Sequence, residues 1–146
     1  GQSTVIFAAM LKHRRGRLYT VEHDAAYAAS VKRRLESCGL SHHVKIILAP
    51  LVELGGRPGE RSYDLSGMPN VLFDVALVDG PPITNGQFAR LVPLRWAVEH
   101  LNKGAVIYLD DCDRIAEQRC LTCLVSEYPN VRITRHGCEK GLAEIR

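Results

Sequence analysis

Phe73-Asp74-Val75-Ala76-Leu77-Val78-Asp79-Gly80-Pro81-Pro82 is an apolar run that closes on an acid and is broken at once by glycine and two prolines. A short apolar run bounded by such breakers reads as a buried strand. Two other runs share the pattern: Leu18-Tyr19-Thr20-Val21-Glu22, and Ala105-Val106-Ile107-Tyr108-Leu109-Asp110-Asp111. In an open parallel sheet, ligands bind at the carboxyl edge of the strands. Three strands that each deliver a carboxylate to that edge predict a site for ribose hydroxyls and a hard cation.

The rest of the chain fills in around these strands. Residues 3–13 are apolar and Ala-rich and predict a helix that ends before Gly16. Asp24 is placed to N-cap a helix running to Cys38, with Val31, Leu35 and Cys38 on one face and Gly39 as its stop. Residues 44–48 predict a short apolar strand, and 55–70, dense in Gly and Pro, a long loop. A helix is expected from about Gln87 to Leu101, a strand at 105–110, a helix at 114–128, and closing strands at 131–136 and 142–145. This alternation predicts an α/β fold with a mostly parallel sheet and helices on both faces.

With 146 residues the chain is long enough for one domain with a real core. Its net charge is only +3. The basic clusters His13-Arg14-Arg15 and Lys32-Arg33-Arg34 are read as solvated helix faces, because nucleic-acid binding wants a larger one-sided excess. Five cysteines at irregular spacing do not form a secreted disulfide framework. Cys120-Leu121-Thr122-Cys123 has CxxC spacing within a predicted helix, and buried small apolar residues explain it better than zinc or redox chemistry. No membrane span or leader pattern is read, so the cytoplasm is the expected compartment.

Glu22, at a strand end, is of the type that accepts hydrogen bonds from both hydroxyls of a ribose; an ordinary strand-end acid is the alternative. Gly1-Gln2-Ser3-Thr4 precedes a helix and suits a carboxylate or phosphate, or is simply a cap. Asp79, Asp110 and Asp111 end two strands. Neighbouring strands lie about 4.8 Å apart, so these carboxylates are expected to converge on one divalent cation, Mg²⁺ or Ca²⁺. A structural network with Arg114 is the competing reading.

Residues 17–28, 44–50, 73–82 and 104–114 together resemble class I S-adenosylmethionine-dependent methyltransferases of the catechol O-methyltransferase-like group. The resemblance implies a Rossmann-like methyltransferase fold across residues 1–146. It implies that Glu22 binds the ribose of S-adenosylmethionine with His23 beside it, and that Gly1 and Ser3 belong to the glycine-rich motif. Ala49 and Pro50 would line the adenine. Asp79, Asp110 and Asp111 match the metal-ligand positions, Asp111 standing where those enzymes commonly have Asn. Asp79, which also falls in the cofactor region, and Asp110 are the proton acceptors it leaves, because Gly80-Pro81-Pro82 replaces the lysine of those enzymes. The implied reaction moves a methyl group to an oxygen or nitrogen of a small-molecule acceptor. A Rossmann-like oxidoreductase would also use Glu22, but no full GxGxxG is present; a non-catalytic binding module keeps the fold alone. The family's first strand and the opening of its glycine-rich motif would lie upstream of Gly1. The sheet is therefore expected to lack that strand, and a homo-oligomer through the exposed edge is expected.

Overall fold

The computed structural model describes residues 1–14 and 16–146. Arg15 of the first basic cluster lies outside them, whereas His13 and Arg14 are exposed in the turn after the first helix and Lys32, Arg33 and Arg34 are exposed on the second. The described residues form two compact units, Gly1–Pro50 with Ser66–Met68, and Leu51–Leu65 with Pro69–Arg146.

In the first unit, α1 (Gln2–Leu11) is followed by β1 (Leu18–Glu22), α2 (Ala25–Ser37) and β2 (Val44–Leu48). Asp24 caps α2 as its sequence predicts: its carboxylate accepts the main-chain N–H of Tyr27 at 2.9 Å. Gly39, at φ +66°, ends the helix in the left-handed conformation that glycine adopts freely. Val31 and Leu35 are buried with Ala8 and Leu40. Cys38, expected on the same face, is instead exposed as the C-cap residue, where the helix no longer turns it inward. β1 and β2 pair in parallel, from Leu18 against Val44 to Glu22 against Leu48.

The second unit holds β3 (Leu51–Glu53), β4 (Arg61–Tyr63), β5 (Phe73–Val78), α3 (Leu91–Glu99), β6 (Leu101–Asp110), α4 (Ile115–Glu127), β7 (Ile133–His136) and β8 (Leu142–Ile145). Its main sheet runs β5-β6-β8-β7. β5 and β6 are parallel, while β8 pairs antiparallel with both β6 and β7. Leu94 and Leu124 of the two helices pack with Ile107, Leu109 and Ile145 of the sheet. Among the described residues no helix is long and apolar enough to cross a membrane.

Three expectations about elements are corrected. Residues 55–70 are not simply a loop: Arg61–Tyr63 pairs antiparallel with Leu51–Glu53, and a short 3-10 turn covers Leu65–Gly67. The helix foreseen from Gln87 begins only at Leu91, because the groups of residues 87–89 are claimed elsewhere. Phe88 N–H donates to Glu60 (2.8 Å), the Ser62 hydroxyl to Ala89 O (2.5 Å) and the Cys120 thiol to Gln87 O (3.5 Å). The same helix ends at Glu99, and Leu101 already belongs to β6, whose pairing with Phe73 decides the outcome.

Among the described residues β1 pairs with β2 alone and β5 with β6 alone. On β5, Val75 is 57% exposed and Leu77 39%. That is unusual for a parallel strand, whose side chains are ordinarily covered on both faces.

Candidate active site

In the first unit the sequence-predicted cofactor residues gather at the carboxyl end of β1. Thr4, in the first turn of α1, is buried with its hydroxyl 3.3 Å from that of Thr20. Thr20 and Glu22 share a face of β1, since strand side chains alternate. This contact, which sequence reasoning missed, sets the start of α1, and hence Gly1 and Ser3, beside the strand that ends in Glu22. Parallel pairing brings in the other side: Ala49, 1% exposed, donates its N–H to Glu22 O at 2.8 Å. Pro50, which follows it, is exposed.

The Glu22 side chain is partly spoken for. Its Oε1 accepts the main-chain N–H groups of His23 (2.7 Å) and Asp24 (2.9 Å), and His23 Nδ1 lies 3.0 Å away. Among the described residues no hydrogen bond reaches Oε2. One oxygen of Glu22 thus holds the turn that leads from β1 into α2.

In the second unit Asp79, Asp110 and Asp111 converge as foreseen: one ligand oxygen from each lies within 4.8 Å of the others. Three hard oxygen donors at that spacing fit a divalent cation such as Mg²⁺ or Ca²⁺. Asp110 Oδ1 also accepts the N–H of Asp111 at 2.9 Å. Asp111, at φ +58°, holds a left-handed conformation sparsely used by residues other than glycine. Gly80 lies close under the Tyr63 phenol, so a side chain there would have to push that ring aside.

The same carboxylates face arginines. Arg114 Nη1 is 2.7 Å from Asp111 Oδ2, the partnership foreseen with this part of the chain. Arg90, which sequence reasoning missed, is 5% exposed, with Nη2 3.7 Å from Asp79 Oδ1 and 3.6 Å from Asp111 Oδ2. Its Nε lies 3.4 Å from Oε1 of Glu117, itself 2% exposed. A buried arginine among acids is worth seeking in any sequence with clustered carboxylates, because unpaired like charges repel; nothing in the spacing marked which arginine. Four carboxylates against two guanidiniums still leave the cluster formally negative. The Asp79 carboxyl is held above its ordinary pKa of 3.8, chiefly by burial; Arg90 opposes this, and Asp110 and Asp111 add to it. Cys120 of the CxxC pair is buried, which pushes its thiol up to about 12.

A family model described as a methyltransferase domain matches residues 1–112. The chain belongs to this methyltransferase family. No curated protein matches it in sequence. Among solved structures, a candidate O-methyltransferase from Klebsiella pneumoniae is 20% identical at a TM-score of 0.73, the alignment covering 99% of this chain and 67% of that one. The Bacillus cereus O-methyltransferase, solved in complex with SAH, is 18% identical at 0.71, with 99% and 68% covered. TomG from Streptomyces achromogenes, an O-methyltransferase of tomaymycin synthesis solved with SAM, is 20% identical at 0.68, with 99% and 67% covered. This chain thus spans about two thirds of each of these relatives. At such identities the likeness speaks to the fold, and this methyltransferase has the Rossmann-like α/β fold its alternating elements predict.

Proposed function

We propose that residues 1–146 act as an S-adenosylmethionine-dependent methyltransferase domain that methylates an oxygen or nitrogen of a small-molecule acceptor. The observation that carries this reading is Glu22, a carboxylate at the carboxyl end of β1 with one oxygen uncommitted, bonded through its own carbonyl to the buried Ala49. Glu22 Oε2 takes the ribose hydroxyls with His23 alongside, Ala49 and Pro50 line the adenine, and Gly1 and Ser3 face the methionine portion.

In the transfer, the acceptor lone pair attacks the methyl carbon, the carbon–sulfur bond breaks, and its electrons stay on the sulfur of the departing S-adenosylhomocysteine. Without a bound cation, the acceptor proton passes to a carboxylate, Asp79 or Asp110. Asp79 suits this role because it is half exposed and its pKa is raised by burial, which makes it a better base than an ordinary aspartate. Asp79, Asp110 and Asp111 would hold Mg²⁺ or Ca²⁺, which when bound supplies a Lewis acid that lowers the pKa of an acceptor hydroxyl. The rest of the rate comes from positioning.

The exposed Val75 and Leu77 on a strand with one partner support a homo-oligomer through the β5 edge.

Calorimetry with S-adenosylhomocysteine tests the cofactor assignment, and transfer of radiolabelled methyl to a panel of phenols, alcohols and amines tests the reaction. No binding at millimolar S-adenosylhomocysteine would overturn the reading.

A further inference from the structure

The hydrogen-bonded ladder between β5 and β6 runs to the pair Val78–Leu109. Asp79 and Asp110, the residues that carry the chemistry, lie one step beyond it. At that point Arg90 takes over the main-chain carbonyls: Nη1 donates to Asp110 O at 2.8 Å, Nη2 to Asp79 O at 3.0 Å and Nε to Pro81 O at 3.5 Å. One rigid guanidinium therefore spans the ends of both strands, and its charge faces Asp79 and Asp111 at the same time. Burying such a charge is costly unless it is paired. Glu117, on α4, supplies the pairing from beneath. Arg90 is itself held from behind, since Glu60, Ser62 and Cys120 bind the three residues before it.

We propose that Arg90, charge-balanced by Glu117, is a positioning residue: it continues the strand pairing past Val78 and Leu109 and sets the separation at which the Asp79 and Asp110–Asp111 carboxylates converge. Its functional consequence rests on the reading of this edge as the place of methyl transfer; its structural content does not.

The test separates positioning from stability. Arg90→Met leaves Glu117 buried without a partner, whereas Arg90→Met/Glu117→Met removes both charges and replaces the ion pair with an apolar contact. The double variant is expected to regain part of the thermal midpoint lost in Arg90→Met, the remainder reflecting the carbonyls of Asp79, Pro81 and Asp110 left without their donor. The amides of Cys112 and Asp113, just past the strand end that Arg90 holds, donate to Gly141 O (3.2 Å) and Lys140 O (3.1 Å). In the double variant they should exchange with deuterium about tenfold or more faster than in the wild type, as loss of the charged hydrogen bonds that fix this strand end predicts. The ladder amides of Ile107 and Leu109 should stay as they were. Arg90→Lys, which keeps the charge but not the fork, should fall between, and it gives the same reading should the double variant fail to fold. Methyl transfer, where the wild type shows it, should remain depressed in the double variant by kcat. Unchanged exchange at Cys112 and Asp113, acceleration spread equally over Ile107 and Leu109, or a kcat that recovers with stability would each overturn the proposal. A wild type that transfers no methyl group would sink the proposed function and leave the exchange comparison to decide this one.

Discussion

Replacing Glu22 separates the two jobs of its carboxylate. In Glu22→Gln the amide oxygen still accepts the N–H groups of His23 and Asp24, which the carboxylate now binds at 2.7 and 2.9 Å. The second oxygen becomes an amide NH₂, and the charged acceptor for a ribose is gone. A hydrogen bond to a charged group contributes about 1.5–3 kcal/mol, so affinity for S-adenosylhomocysteine should fall roughly 10–150-fold. The thermal midpoint should barely move. Glu22→Ala should show the same loss of affinity and also lose the turn, at a cost of about 1–3 kcal/mol for two orphaned amides, reduced where water reaches them. Calorimetry measures the first quantity and circular dichroism melting the second. If Glu22→Gln binds S-adenosylhomocysteine as tightly as the wild type, the ribose assignment is refuted. If Glu22→Ala melts like the wild type, the capping role is refuted instead.

Mg²⁺ or Ca²⁺ at tenfold excess over its Kd should raise the thermal midpoint, an added stability of about 1.4 kcal/mol, and Asp110→Asn should abolish the shift; no shift in either protein would favour a purely structural Asp–Arg network. Asp79 has a folded-state pKa above its unfolded value of 3.8, so folding binds its proton more tightly and stability is lost as pH rises from there through the folded pKa. Asp79→Asn should therefore be more stable than the wild type at pH 7 and lose that advantage below pH 3.8, as read from urea midpoints at both pH values; an advantage that persists in acid would contradict this. Leu94 is 0% exposed in the core of the second unit, and Leu94→Ala should cost about 2–5 kcal/mol in urea unfolding, with a value under 1 showing a looser core. Val75→Lys should lower the oligomeric fraction seen by light scattering, and an unchanged mass would remove the β5 edge from the association.

What the sequence determined by itself was local and periodic. β1 and α2 were legible because an apolar run, a capping aspartate and a glycine stop act within a few residues of one another. The convergence of Asp79, Asp110 and Asp111 was legible from topology, as the ends of neighbouring strands in a parallel sheet share an edge. Tertiary structure decided the rest. Arg61–Tyr63 becomes a strand only because Leu51–Glu53 is there to pair with it, and Leu101 joins β6 instead of α3 because Phe73 lies opposite. Short segments have too little intrinsic preference to resist such partners. Arg90 is the clearest case. It stands 11 residues from Asp79 and 20 from Asp110, and it reads in sequence as one more basic residue at the start of a helix. Only the fold buries its guanidinium among three carboxylates, those of Asp79, Asp111 and Glu117, where the cost of an unpaired charge makes it the partner that cluster requires.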